Sequence, residues 1–355
     1  MKNYKIKDIG TVVTGYTPKT TDLNNYISND YMFVSPSDLK YNRFITKTTK
    51  NISKFAFYNS KNRILIKGDI VVDCIGSDMG NVGVIYDECI SNQQINAITK
   101  IDNSKVLNLY LYYLLSTKKD FLHLIGMNGS TMPIISKSLF EDIELQVHEL
   151  NIQQHIVNTI GSIDDLIEKN SRILSKIEEL EYKLFSYEMN DKAFNKLSNY
   201  ISFEKGKKPN EINQTGNLYL TIDVLEGNTK LFTNSSNIIT CSKNEILMVM
   251  DGASSGKVYT GVEGVVGSTL SKIKNTCLNN YFLYIYLKYN FNNIKDRNTG
   301  SAIPHTNKDF VLSLSIPNMK ADENLYDNLF NYRNKTVEII NKLKEIKKIY
   351  LYKFF

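Results

Sequence analysis

No apolar run in the 355-residue chain approaches the ~20 residues that a membrane-crossing helix needs. The opening MKNYKIKDIG lacks the apolar core of a secretory leader. Cysteine is sparse and scattered: Cys74, Cys89, Cys241 and Cys277 form no CxxC pair, so a zinc site of that kind is excluded. They read as buried thiols in a reducing compartment, and a cytoplasmic protein that does not engage membranes is expected. Proline is equally sparse, and all six (Pro18, Pro36, Pro133, Pro209, Pro304, Pro317) avoid two long stretches of the chain.

Catalytic signatures are missing as well. Asp251-Gly252-Ala253-Ser254-Ser255-Gly256-Lys257 looks like a phosphate loop. Its glycines are one residue too close together, however, and Val258 stands where a magnesium-binding hydroxyl belongs. A tight turn between strands is the expected reading. His123, His148, His155 and His305 show no metal-ligand spacing; His148 and His155 can share a helix end, but no third ligand is apparent. There is no GxSxG elbow, no GxGxxG fingerprint and no Asp/Asn-Pro-Pro-Tyr motif. No catalytic residue, metal site or cofactor is assigned to the chain.

What is present begins with the stretch from Glu149 to Met189. It contains no proline and one glycine. Ile156, Ile160, Ile163, Ile167, Leu174, Ile177 and Leu184 recur three and four apart, which predicts one long helix with a narrow apolar seam. Asn170 and Glu181 fall on that seam, where polar residues cost stability but fix register. After Pro317, the segment from Ala321 to Phe355 repeats the pattern with Leu325, Leu329, Tyr332, Ile339, Leu343, Ile346 and Tyr350, Thr336 being the weak position. Each helix needs somewhere to bury its stripe, and the two are expected to pair as an antiparallel coiled coil.

The rest of the chain is one plan written twice. Gly15 and Pro18 align with Gly206 and Pro209 at an offset of 191, and Ser37-Asp38-Leu39 with Ile222-Asp223-Val224 at 185. KGDIVVDCIGSDMGNVG (67–83) aligns with KNEILMVMDGASSGKVY (243–259) at 176, and LYLYYLL (109–115) with YFLYIYL (281–287) at 172. Gly129-Ser130-Thr131-Met132-Pro133 meets Gly300-Ser301-Ala302-Ile303-Pro304 at 171. The order is kept while the offset falls, as expected of a duplication whose second copy has shorter loops.

Within each copy, runs such as FVSPSDL, RILI, DIVVDCI and VGVIY read as strands, and the tyrosine-leucine runs read as helices packed into a core. A last strand is expected at 143–147 and again at 311–316. The fold class is α+β: two tandem mixed α/β, mostly β, domains separated and followed by long helices. The expected divisions are 1–148, 149–190, 191–319 and 320–355.

These residues resemble the DNA-specificity subunit of type I restriction-modification systems. The Gly15-x-x-Pro18 opening, Phe33 to Leu39, Ser91-Asn92-Gln93-Gln94-Ile95-Asn96-Ala97-Ile98 and Gly129 to Ser136 are similar to that family's target-recognition domain. Gln153-Gln154-x-Ile156 followed by Ile163-Asp164-x-x-Ile167 is similar to the start of its helical spacer. Val147-His148 replaces the proline usual before those glutamines. In copy two, Gln-Gln-Ile-Asn becomes Ser268-Thr269-Leu270-Ser271, and the second spacer opens on Asp322-Glu323-Asn324. The resemblance implies a non-catalytic subunit that recognises a bipartite site on double-stranded DNA. It implies two methyltransferase subunits bringing S-adenosylmethionine for adenine-N6 methylation, and separate restriction nuclease-translocase subunits.

A net charge of +6 and a pI near 8.8 permit a polyanionic partner without requiring one. Lys54, Lys137, Lys207, Lys208, Lys257 and Lys308 are candidate phosphate contacts or solvated surface lysines. Ser130, Thr131 and Ser301 offer small hydroxyls beside a rigid proline, for a phosphate or simply for a turn. Gln93, Gln94 and Asn96 can address adenine edges or act as structural amides, and His305 and Asn307 belong with them. The alternative function is a protein- or glycan-binding scaffold of two β-rich domains on a helical hairpin.

Overall fold

The computed structural model describes every residue except 41–42, 128–132, 191–193, 236–237 and 301. Packing divides the chain into two compact units, Met1–Glu168 with Asn341–Phe355, and Lys169–Ile340. This differs from the four expected segments: the two long helices, Leu150–Met189 and Glu323–Phe354, are not separate bodies, and each contributes to both units.

The first unit is built on a five-stranded sheet. Its order is Thr11–Thr14, Ile95–Thr99, Ile70–Asp73, Val82–Ile85 and Phe44–Ile45, antiparallel except for the last pair. Strands Ile70–Asp73, Val82–Ile85 and Ile95–Thr99 are buried along their whole length, which is why they read as continuous apolar runs and not as alternations. A three-stranded sheet (Lys50–Ile52, Tyr31–Val34, Cys89–Ser91) stands beside it. Helix Asn108–Ser116 buries Tyr110 and Tyr113 in the main core with Ile156 and Ile160 of the central helix. Each fully buried large side chain contributes about 1.5–3 kcal/mol. Strand Lys2–Lys5 pairs with Glu144–Val147, tying the chain's start to the strand that leads into the central helix.

The second unit repeats this with fewer residues. One sheet runs Ile201–Lys205, Leu270–Asn275, Ile246–Val249, Val258–Tyr259; the other runs Phe232–Thr233, Asn217–Leu220, Gly264–Val266, Thr240–Cys241. Phe194–Lys196 pairs with Ser315–Pro317, as Lys2–Lys5 does with Glu144–Val147. Helix Asn280–Tyr289 is buried by its tyrosines. The tyrosine-rich runs of both units are therefore core.

The hydrogen bonds are duplicated too. Gly76 N–H donates to the Pro133 carbonyl at 3.0 Å, and Gly252 N–H to that of Pro304 at 2.9 Å. Gly80 N–H reaches the Asp73 carbonyl at 3.0 Å, and Gly256 N–H that of Val249 at 2.9 Å. All four glycines have positive φ, and the phosphate-loop look-alike is thus a tight turn after a strand.

Three expected strands are corrected. Tyr31–Val34 stops before Pro36–Leu39, a 3-10 turn in which the Asp38 carboxylate accepts from the Ser35 N–H and hydroxyl. Its counterpart Ile222–Leu225 is a helical turn capped by Thr221. In RILI only Leu65 bridges Cys89, because Arg63 closes the turn Lys61–Arg63. Val311 lies in helix Lys308–Ser313, started by an Asn307 cap, and the last strand is Ser315–Pro317.

The central helix points Gln153, Ile156, Ile160, Ile163, Ile177, Glu181 and Glu188 into buried surroundings, with Ile167, Asn170, Leu174 and Leu184 half-buried. Those positions alternate three and four apart without a break. In the C-terminal helix the predicted stripe is out of phase. Leu329 is buried and Leu343 half-buried, but Tyr332, Ile339 and Ile346 are 68%, 36% and 41% exposed, and Leu325 is exposed with them. The inward series is Tyr326, Leu329, Arg333, Thr336, Ile340, Leu343, Lys347 and Tyr350. Two basic residues occupy it because acids of the central helix meet them.

Candidate nucleic-acid interface

In the first unit, Asp164 of the central helix accepts from the Tyr113 hydroxyl at 2.9 Å and pairs with Lys347 of the C-terminal helix at 2.7 Å. Buried Arg43 donates to Tyr113 and pairs with Asp165 at 2.6 Å and Glu168 at 3.3 Å. In the second unit, Glu181 is wholly buried. It takes hydrogen bonds from Tyr281 and from Lys288 at 2.6 Å, and stands 3.6 Å from Arg333 of the C-terminal helix. Glu188 accepts from the Lys320 and Ala321 amides and from the Tyr326 hydroxyl at 2.8 Å. Burial, and then the neighbouring carboxylate, push the Tyr113, Tyr281 and Tyr326 hydroxyls up, so each stays protonated as a donor. These pairs make the helices antiparallel within each unit: 164 meets 347, 181 meets 333, and 188 meets 326.

Gln153 fixes the other end of the helix. Its carbonyl accepts from the Leu107 N–H at 2.9 Å, while its amide donates to the Lys105 and His148 carbonyls at 2.8 Å. His148 bonds Tyr110 through Nδ1, and His155 packs edge-on against Phe354.

The Gly-x-x-Pro loop follows an edge strand in each unit, its glycine and proline buried and Tyr16, Lys207 and Lys208 exposed. A Cβ at Gly15 would stand 2.0 Å from the Asn92 carbonyl oxygen, and one at Gly206 would stand 2.2 Å from that of Gly267. Only glycine permits that approach at either position. In the first unit the loop is tied down at several points: Arg63 donates to the Gly15 carbonyl at 2.9 Å, Tyr26 to that of Pro18 at 2.8 Å, and Asn25 to that of Lys19 at 3.0 Å. The Thr17 hydroxyl donates to the Gln93 side-chain carbonyl, so exposed Gln93 borders the same loop. In the second unit the loop carries Lys207 and Lys208, both exposed, and is held by Thr233 and Ser235.

Between the first loop and helix Lys54–Asn59 lies an open groove of about 710 Å³. Tyr16, Lys19, Asp22, Phe55, Tyr58, Lys61 and Arg63 line it. The Arg63 guanidinium sits 5.2 Å above the Tyr16 ring, and Lys54 sits 5.9 Å from that of Tyr58. Of the expected contacts, Lys54 and Gln93 are brought to this neighbourhood. The groove itself was missed, although KFAFYNSKNR interleaves aromatic and basic residues. That run lies where the repeat offset falls from 185 to 176.

The other candidates are placed as follows. Asn96 is 3% exposed and accepts from Thr14 at 2.7 Å within the sheet, so it is a structural amide and cannot address a base. Asn307 is spent capping a helix at Phe310 N–H. Gln94 is half-buried, accepts from the Asn92 amide, and gives its backbone carbonyl to Cys74. Lys257 pairs with Glu226 at 3.1 Å and lies over Tyr259; its ammonium is held above its usual range by the Tyr259 hydroxyl, burial opposing and Glu226 assisting. Lys308 is half-buried over Phe203, and exposed Lys137 makes an i,i+4 pair with Glu141. Exposed His305 meets Asp251 at 2.7 Å, and Lys205 stands 3.6 Å from the same carboxylate. Ser130, Thr131 and Ser301 lie outside the described residues.

A module written twice, each copy closed by antiparallel helix segments and presenting a basic loop edge, defines a tandem recognition protein. The chain belongs to the family of the type I restriction modification DNA specificity domain, whose model matches it over residues 1–179 and again over 189–348.

It is similar to the type I restriction enzyme MjaIX specificity subunit of Methanocaldococcus jannaschii, at 31% identity over 184 residues, 51% of this chain and 42% of that protein. The MjaVIII specificity subunit of the same organism is 29% identical over 166 residues, 42% of this chain and 39% of that protein. The matched stretches thus span less than half of either relative. The fold is that of a type I restriction-modification system S subunit from M. genitalium, with a TM-score of 0.67 at 17% identity, covering 100% of this chain and 96% of that one.

Proposed function

We propose that the chain is a non-catalytic subunit that reads a bipartite sequence on double-stranded DNA, each unit reading one half-site through the major groove. The observation that carries this reading is the twice-built hydrogen-bond frame at Gly15, Gly76 and Gly80 and at Gly206, Gly252 and Gly256. Two copies of one frame suit two stretches of one kind of ligand. The central helix of 40 residues is about 60 Å long at ~1.5 Å per residue. Part of that length packs under each unit, so the two half-sites are expected with centres about one turn of DNA apart.

Catalysis is then supplied by partners: two methyltransferase subunits carrying S-adenosylmethionine for adenine-N6 transfer, and restriction nuclease-translocase subunits. The displaced stripe of the C-terminal helix supports a docking role. Leu325, Tyr332, Ile339 and Ile346 recur every seven residues and stand exposed, as do Leu166, Ile173, Leu180 and Tyr187 of the central helix. Stripes at heptad spacing suit further helices laid alongside, here those of the methyltransferase. Replacing Tyr332 and Ile339 together with serine is expected to leave folding intact and to abolish co-purification with the methyltransferase.

The reading is tested by titrating the assembled complex with a duplex carrying the sequence methylated in the cell and with a scrambled duplex, at several salt concentrations. Preference for the first duplex is expected. Equal binding to both would favour the scaffold alternative.

A further inference from the structure

The groove beside the Gly15–Pro18 loop is walled by an insertion that the second unit's shorter sequence does not carry. Between strand Lys50–Ile52 and Leu65, the first unit inserts helix Lys54–Asn59 and the turn Lys61–Arg63. The corresponding stretch between Phe232–Thr233 and Thr240–Cys241 is six residues, too short for both. The insertion supplies one wall, and the tied loop supplies the other. Arg63 donates from Nη1 to the Thr14 and Gly15 carbonyls and lies over the Tyr16 ring, so it positions the loop. Lys19 and Lys61 are exposed and form no ion pair among the described residues. Phe55 and Tyr58 stand about half exposed at the rim, Tyr58 held edge-on against Tyr31 and Phe57.

Lys19 and Lys61, neither in an ion pair among the described residues, line one groove with Tyr16, Phe55 and Tyr58, Asp22 being the acid beside them. Two cations among aromatic rims match a polyanion with apolar sugar faces. We propose that this groove takes the sugar-phosphate backbone of duplex DNA beside the first half-site. In this arrangement Lys19 and Lys61 neutralise phosphates, while Tyr16, Phe55 and Tyr58 pack on the sugars. The two half-sites are then held unequally: the second unit offers Lys207 and Lys208 at its loop, and its six-residue stretch has no room for the wall that helix Lys54–Asn59 supplies. This inference rests on the DNA-reading function and goes beyond it in assigning the residues and the asymmetry.

The test uses the full chain assembled with its methyltransferase subunits, and a duplex carrying the sequence found methylated in the cell. Each phosphate contact contributes about 0.9 to the slope of log affinity against log salt. The double variant Lys19→Ala/Lys61→Ala should therefore lose about 1.8 from that slope. Between 50 and 200 mM salt its affinity should fall about 12-fold less than that of the wild type. Phosphate-ethylation interference should lose contacts beside one half-site only. Phe55→Ala/Tyr58→Ser should weaken binding at all salt concentrations without altering the slope. An unchanged slope and footprint, with sequence preference retained, would overturn the groove assignment and leave the DNA-reading function standing. A wild-type complex indifferent to sequence would overturn both.

Discussion

Glu181→Gln is the sharpest test of how the helices are held. Glu181 is wholly buried beside Lys288 at 2.6 Å and Arg333 at 3.6 Å, and Tyr281 donates to it. Glutamine keeps the shape and removes the charge. Two cations are left without their shared counter-ion in a site where the Arg333 Nε already lacks a hydrogen-bond partner. Breaking a buried pair of this kind costs about 3–5 kcal/mol. At a urea slope of about 2–3 kcal/mol/M, the midpoint should fall by about 1–2.5 M. The assay is urea unfolding followed by circular dichroism, with hydrogen exchange locating the loss in residues 169–340. Replacing the whole cluster, as Glu181→Leu/Lys288→Met/Arg333→Leu, should recover most of the stability, because apolar residues of similar volume substitute for buried ion clusters. A loss below about 1 kcal/mol in Glu181→Gln would refute the view that this cluster clamps the helices.

Three further outcomes are expected. Burial pushes the Asp69 carboxyl up to about 6, above its unfolded value of 3.8, although its bond from the Ile66 amide opposes this. A folded pKa above the unfolded one means that Asp69 favours folding most below pH 4 and that this advantage is lost as pH rises through 6. Asp69→Asn keeps the acceptor and should stabilise the first unit at pH 7.5 by about 1–2 kcal/mol, with no gain at pH 3.5; thermal melts at the two pH values check this. Gly15→Ala and Gly206→Ala should each unfold the loop edge of their own unit, since the new Cβ would meet a carbonyl oxygen at 2.0 or 2.2 Å, and unit-resolved hydrogen exchange reads this. Inserting four residues after Leu174 adds about one helical turn and should lengthen the gap in the methylated motif; an unchanged motif would count against the helices as its measure.

Much of the architecture was legible because it is periodic. The repeat offsets located both copies, and the central seam was read in the right phase from Ile156 to Leu184. The C-terminal seam was misread for a physical reason. Arg333 and Lys347 look like surface residues until Glu181 and Asp164 are placed opposite them, while Tyr332, Ile339 and Ile346 look like core. Two stripes that share Leu329, Leu343 and Tyr350 and differ by one residue between them cannot be ranked without the partner helix. Site residues were less legible because they depend on neighbours distant in sequence. Asn96 is removed from contact by its sheet, while the Asn307 side-chain oxygen caps a helix and Lys257 pairs with Glu226. The groove formed by Tyr16, Lys19, Tyr58 and Lys61 joins segments some forty residues apart. Its sequence trace was a drop in offset where the first copy has extra residues, which reads as a loop until its aromatic and basic content is weighed.

The most direct measurement is methylome sequencing of cells with and without this gene. The account predicts one bipartite motif, methylated on adenine, that disappears with the gene and has two specified half-sites separated by a gap of fixed length. Unchanged adenine methylation at every motif would contradict it.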